Sequence, residues 1–370
     1  MLFQKKWSIF IAIKLIIMKF RVLNTFAAAA ASVLMLLSCT DSNEKNLPRK
    51  KPTKEMAEAT SDYIKAIEEE GQGIHSVMVV KNGKVVFEKW LGEWTADKPH
   101  ELHSVSKTFT ATAVGMVYDM GLISLDDKVI DYFPEYLPET VNDNLKSLTI
   151  RHLLTMNSGF EKSPDKKIRD NRTDWIKGFL EEPFDRTPGT IFCYNSLSTY
   201  MLSAIIQKVT GEKVVDFLQP RLFEPLGITD VVWGESPEGI TMGGWGLWLK
   251  TEDLAKLGQL FLQKGKWNGK QLVSEEWIAM AGSKQVDSVP AGKNTDMLEE
   301  IKASGYRPDW TEGYGFQMWM CRNSAFRADG AYGQVIMIIP DKDAVVVLTA
   351  QNSDFQAELD LVWKHIYPAL

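Results

Sequence analysis

Apolar residues are spread unevenly along the chain, and the way they are grouped outlines a fold. Lys54 to Glu70 reads as a helix that ends at Gly71. The runs Ser76-Val77-Met78-Val79-Val80 and Lys84-Val85-Val86-Phe87 follow, flanking Asn82-Gly83; Asn-Gly between two β-branched runs predicts a hairpin. At the far end Gln334 to Ile339 and Ala344 to Thr349 are apolar strands joined through Pro340-Asp341-Lys342-Asp343, and Phe355 to Tyr367 reads as an amphipathic helix. Between these ends lie helical patterns at 105–120, 150–156, 196–210 and 251–264, separated by Gly/Pro-rich loops. The expected fold class is α+β, an α/β sandwich. One antiparallel sheet is built from N- and C-terminal strands and flanked by helices, with a mainly helical insertion over about 125–300. A cleft between sheet and insertion is the natural place for a site.

Composition adds limits. The chain has 370 residues, 45% hydrophobic and 24% charged, enough apolar material for a sizeable core. Net charge is −6, and the part after residue 39 has no long basic run beyond Arg49-Lys50-Lys51, which argues against nucleic-acid binding. The first forty residues read as a targeting segment. Lys19 and Arg21 precede an alanine-rich apolar run from Thr25 to Leu37, and Leu36-Leu37-Ser38-Cys39 closes it. This ending resembles the lipobox of bacterial lipoproteins, which implies a signal peptide over 1–38, acylation of Cys39, and a lipid-anchored protein facing the periplasm or cell surface. Met18 is a natural start for such a signal, which makes 1–17 an over-long beginning. The competing reading is one uncleaved anchor, but Lys14, Lys19 and Arg21 interrupt a span that needs roughly 20 apolar residues. Residues 39–55 are polar and read as a flexible tether, with the folded domain over 56–370. Cys193 and Cys321 are expected to be free thiols.

Candidate chemistry centres on Ser104-Val105-Ser106-Lys107, which opens a helix with apolar Val105, Phe109, Ala113 and Val117 at every fourth position and Gly121 as its stop. A hydroxyl and an amine at i and i+3 share a helix face, roughly 5–6 Å apart at Cβ. Burial beside the apolar stripe would lower the pKa of Lys107 and leave it a neutral base beside a serine that needs one. Ser-x-x-Lys by itself is weak evidence, since Ser163-Pro164-Asp165-Lys166 repeats it in a charged loop without an apolar face.

Further segments stand around Ser104 in a fixed order. They are Leu148 to Leu154 leading into Asn157-Ser158-Gly159, Pro188-Gly189-Thr190, Tyr194-Asn195-Ser196, Val209-Thr210-Gly211, Pro225-Leu226-Gly227, Gly243-Gly244-Trp245-Gly246-Leu247 and Asp253-Leu254-Ala255-Lys256. Together they closely resemble the class C β-lactamase superfamily of serine hydrolases, which includes D-Ala-D-Ala peptidases, family VIII esterases and 6-aminohexanoate-dimer hydrolases. The resemblance runs from about Ile64 to Thr349 and implies the β-lactamase/transpeptidase-like fold. It makes Ser104 the nucleophile, Lys107 the base and Tyr194 the phenol that passes a proton to the leaving group. Ser196 departs from the family's Tyr-x-Asn motif. The third motif, a Lys or His ahead of the strand at Gln334, is replaced by Ala328-Asp329-Gly330-Ala331-Tyr332-Gly333. That puts β-lactam turnover in doubt and leaves Arg327 as a candidate substitute cation. Gly330 would let substrate backbone approach, and the Ala331 N–H would pair with that of Ser104 as oxyanion hole. Apart from the resemblance, Trp245 and Trp248, flanked by glycines, read either as lining the cleft or as packed core aromatics.

The expected activity is hydrolysis of a small-molecule ester or small amide through an acyl-enzyme, without cofactor or metal. The alternatives are a D-Ala-D-Ala peptidase or β-lactamase acting on a peptide or β-lactam, or a non-catalytic penicillin- or peptidoglycan-binding module. His100 and His103, at i and i+3, lack a third ligand cluster. No Gly-x-Ser-x-Gly pentapeptide occurs, and His152 in an apolar helix reads as a packed core residue.

Overall fold

The computed structural model describes residues 46–289, 303–306 and 308–370; the expected signal peptide and Cys39 lie outside them. Helix α1 (Lys54–Glu69) starts at Thr53, whose side chain accepts the Met56 N–H at 3.1 Å. Strands β1 (Ile74–Lys81) and β2 (Lys84–Trp90) form the predicted hairpin. Asn82 and Gly83 both take positive φ, 52° and 70°, as a two-residue type I′ turn requires. Then come β3 (His100–Glu101), α2 (Ser106–Asp119), α3 (Ile150–Leu154), α4 (Asp165–Asn171), α5 (Trp175–Glu181) and α6 (Ser196–Thr210). They are followed by β4 (Val232–Trp233), β5 (Leu247–Leu249), α7 (Thr251–Leu262) and α8 (Glu275–Ala281). The chain closes with β6 (Trp319–Met320), β7 (Phe326–Gly330), β8 (Gln334–Ile339), β9 (Ala344–Ala350) and α9 (Phe355–Leu361), with shorter turns between.

The main sheet is antiparallel throughout, in the order β2-β1-β9-β8-β7-β6, so its centre joins the two ends of the chain. Alternation along the strands divides the interior in two. Met78, Val80, Ile336, Ile338, Val345 and Val347 face the larger core, shared with α2 and α7. Val77, Val79, Val335, Met337, Ile339, Val346 and Leu348 face a second core under α1 and the C-terminal helix, with Met56, Tyr63, Ile67, Leu359 and Trp363. Helix α7 lies so close to the sheet that a Cβ on Gly258 would come within 2.5 Å of Val345.

Helix α2 is buried from Ser106 through Val117, on every side rather than along one stripe. Its threonines remain satisfied: Thr108 donates to the Gln317 carbonyl at 3.1 Å, Thr110 to Gly243 at 2.9 Å and Thr112 to Thr108 at 2.8 Å. The inserted region is mainly helical but also carries β4 and β5, which join β3 from ahead of it in the small sheet β3-β5-β4. The expected tether is shorter than its composition suggested. Leu47 is buried and donates its N–H to Glu252 at 2.8 Å, while the Arg49 guanidinium pairs with Glu252 at 2.7 Å and Glu88 at 3.0 Å. One leucine and one doubly paired arginine are enough to start the folded unit at Leu47.

Candidate active site

Ser104 occupies a 3-10 turn, His103–Val105, that runs straight into α2. His103 just before it has φ 46°, a conformation a non-glycine residue rarely adopts. The turn is braced by Ser106 Oγ, which donates to the His103 carbonyl at 2.6 Å and accepts the Leu247 N–H at 3.3 Å. One helical turn beyond Ser104, Lys107 is 1% exposed. Its Nζ lies 2.9 Å from Ser104 Oγ, 3.0 Å from Ser196 Oγ and 2.8 Å from the Gly244 carbonyl.

Burial lowers the Lys107 pKa to about 7, against the opposing pull of Asp165 and Asp329 and with a smaller push from Arg169. The three contacts suit both protonation states. An ammonium has three N–H donors for three oxygens. The free amine keeps two, for Ser196 Oγ and the Gly244 carbonyl, and turns its lone pair to the Ser104 hydroxyl.

Tyr194 is half-buried, with its ring centroid 4.9 Å from Lys107 Nζ and its hydroxyl interacting with the Ser104 side chain. Burial first and Asp329 second push its pKa above the ordinary phenol range, so it stays protonated at neutral pH. Its ring stacks on Trp319 at 5.5 Å and meets Tyr314 edge-on at 6.2 Å, which fixes its direction. Within Tyr194-Asn195-Ser196 the middle residue is structural: Asn195 caps α6 by accepting the Ser198 N–H at 2.7 Å and donates to the Cys193 carbonyl at 2.9 Å. Tyr194 and Ser196 flank it and meet Lys107.

Gly330 ends β7 against the nucleophile turn. A Cβ there would lie 2.3 Å from the Leu102 carbonyl oxygen and 3.1 Å from the Ser104 nitrogen, so the strand closes on that amide only as glycine. Ala331 is exposed and opens the turn into β8. Trp245 follows the Gly244 carbonyl, with Trp175 tilted against its ring at 5.8 Å and Arg169 over it at 4.2 Å.

Other expectations are changed. Arg327 is 1% exposed and bound to Asp329 at 2.9 Å and to Cys321 Sγ at 3.2 Å. It sits opposite Met337 on the face of the second core, so strand alternation turns it away from the face Gly330 presents to Ser104. His152 is a cap rather than a core residue, its Nδ1 accepting the Thr149 N–H at 3.1 Å. Trp248 faces solvent at 41% exposure. Lys166 is 92% exposed and paired with Asp170 at 2.8 Å, which raises its pKa, so the second Ser-x-x-Lys lacks a base. His100 stacks on Trp94 at 4.1 Å, and His103 lies 3.6 Å from Glu101. Cys193 and Cys321 are buried free thiols, their pKa values raised by burial to about 11 and about 12.

Several site residues escaped the sequence reading. Asp165 of α4 accepts the N–H groups of Ser196 at 2.6 Å and Leu197 at 3.0 Å, fixing the first turn of α6 beside Lys107. The only signal for it was a carboxylate inside a segment dismissed as a charged loop. The Gly244 carbonyl and Trp319 carry no side-chain pattern that would mark them.

Residues 64–366 match the family model described as Beta-lactamase. The 6-aminohexanoate-dimer hydrolase of Paenarthrobacter ureafaciens is 26% identical over 288 residues, 73% of this chain and 70% of that protein. Other relatives are matched over about a third to two thirds of their own length. Among solved structures, a penicillin-binding protein homologue from Caulobacter crescentus superposes with a TM-score of 0.68 at 15% identity, covering 87% of this chain and 99% of that one. EstCE1, a hydrolase with promiscuous acyltransferase activity, gives 0.66 at 16% identity over 85% and 98%. These two share the fold.

Proposed function

Because the chain belongs to the beta-lactamase family of serine hydrolases, we propose that it hydrolyses a small ester or amide through an acyl-enzyme on Ser104. The observation that carries this reading is the buried Lys107 amine, 2.9 Å from Ser104 Oγ with a pKa near neutrality. Neutral Lys107 takes the Ser104 proton as Oγ bonds to the substrate carbonyl carbon. The Ser104 and Ala331 N–H groups hold the negative charge that develops on the carbonyl oxygen. As the bond to the leaving group breaks, Tyr194 gives that group its proton and is reprotonated from Lys107. Water then attacks the acyl carbon and gives its proton to the Lys107-Tyr194 pair; as the bond from that carbon to Ser104 Oγ breaks, the pair returns the proton to Oγ and the acid is released.

Two features favour esters or small amides over β-lactams. The turn at Ala331-Tyr332-Gly333 offers no cation, and Ser196 contributes one hydroxyl where the related motif has an amide. The relative named for a 6-aminohexanoate dimer supports this choice. The test is turnover of 4-nitrophenyl acetate. Ser104→Ala and Lys107→Ala are expected to lower kcat by about a thousandfold or more, the scale set by removing a member of a nucleophile-base pair. Undiminished turnover by Ser104→Ala would sink the proposal.

A further inference from the structure

Arg169 stands at the rim of this site with its charge unspent. It lies on α4 one turn beyond Asp165, the residue that fixes Ser196 beside Lys107. Its guanidinium covers the Trp245 ring at 4.2 Å, and Trp245 directly follows the carbonyl that accepts Lys107 Nζ. Its charge reaches the reacting centre, where it helps hold the Lys107 pKa down.

Three cations of the same segment are neutralised: Lys166 pairs with Asp170 at 2.8 Å, Lys167 with Glu182 at 2.6 Å and Arg172 with Asp174 at 2.8 Å. Among the described residues the Arg169 guanidinium makes neither an ion pair nor a hydrogen bond, and the residue is exposed. Stacking on an indole fixes the plane of a guanidinium without using its N–H donors, whose in-plane edge stays free for a planar anion. The other arginine near the site, Arg327, is buried and paired with Asp329.

We propose that Arg169 and Trp245 form a carboxylate-binding subsite, and that the substrate carries a carboxylate apart from its scissile carbonyl, bound by two N–H groups of Arg169. This rests on the Ser104 acyl-enzyme reading and adds the substrate class to it. A bidentate guanidinium-carboxylate pair supplies both affinity and orientation.

The experiment compares charged and neutral esters in matched pairs, because the carboxylate can lie on either side of the scissile bond. One pair is 4-acetoxybenzoate and its methyl ester; the other is mono-4-nitrophenyl suberate and 4-nitrophenyl octanoate. The readout is the charged-to-neutral ratio of kcat/KM in the unsubstituted protein, Arg169→Gln and Arg169→Lys. In at least one pair the ratio is expected to fall about tenfold or more in Arg169→Gln, chiefly through KM of the charged ester, with Arg169→Lys retaining part of it. Ratios unchanged in both pairs would overturn the subsite and leave Arg169 as packing on Trp245. Ser104→Ala is run alongside: turnover that survives it refutes the acyl-enzyme reading, whereas lost turnover with unchanged Arg169 ratios refutes the subsite alone.

Discussion

A lysine with 1% of its surface exposed is either neutral or a burden on the fold, and Lys107 is placed between the two. Its pKa is about 7 in the folded protein against 10.5 for the free side chain. Below pH 7 both folded and unfolded chains hold the proton, and the full cost of burying an ammonium falls on the folded state. Between pH 7 and 10.5 the unfolded chain still binds a proton that the folded chain has released, so stability rises with pH. Above 10.5 that cost is gone. Lys107→Met should therefore be more stable than the parent at pH 6.5, by up to about 5 kcal/mol, and the gain should narrow toward pH 10. Thermal unfolding of the two proteins across that range checks it; a gain that is constant or widens with pH contradicts it. The same ionisation puts the rising limb of kcat/KM at about pH 7, because only the free amine accepts the Ser104 proton.

At the scale of elements, the site is the meeting of three helix beginnings and one strand end. The 3-10 turn leading into α2 supplies Ser104 and the first turn of α2 supplies Lys107, α6 supplies Ser196 at its first position with Tyr194 just ahead of it, and β7 closes with Gly330. The short helix α4 ties two of them together through Asp165, whose carboxylate accepts two amides of α6 and whose charge opposes the drop in Lys107 pKa. Removing that carboxylate has two separable effects. Asp165→Ala should lower stability by about 1–2 kcal/mol, as the loss of a helix cap does, and Asp165→Asn should recover part of that. Both substitutions remove the negative charge, so both should move the rising limb of the pH-rate profile downward. A limb that stays in place or moves up in both variants would show that Asp165 acts on the helix alone.

Across the whole molecule, the parts legible in the sequence are those where one local rule dominates. The hairpin at Asn82-Gly83 needs two positive φ angles, and the apolar strands 334–339 and 344–349 form the middle of the sheet almost to the residue. Strand β7 was not legible because Arg327 and Asp329 interrupt its apolar run and find their partners, each other, Cys321 Sγ and the Met320 carbonyl among them, only in the folded chain. Strands β3 to β5 hold two or three residues each, too few for a period to show. The Ser104-Lys107 pair was legible from its apolar helix together with the ordered segments around it, since the spacing alone also fits Ser163 and Lys166. Asp165 and Arg169 were not, because a charged surface segment looks the same in sequence whether it faces solvent or a cleft. The central claim is covalent and is tested most directly by rapid acid quench during turnover of a 4-nitrophenyl ester, followed by proteolysis and peptide mass analysis. The account predicts the acyl group on Ser104, accumulating within the first turnover and absent in Ser104→Ala. An acyl group on Ser163 or Cys193, or sustained turnover with no acylated peptide, would contradict it.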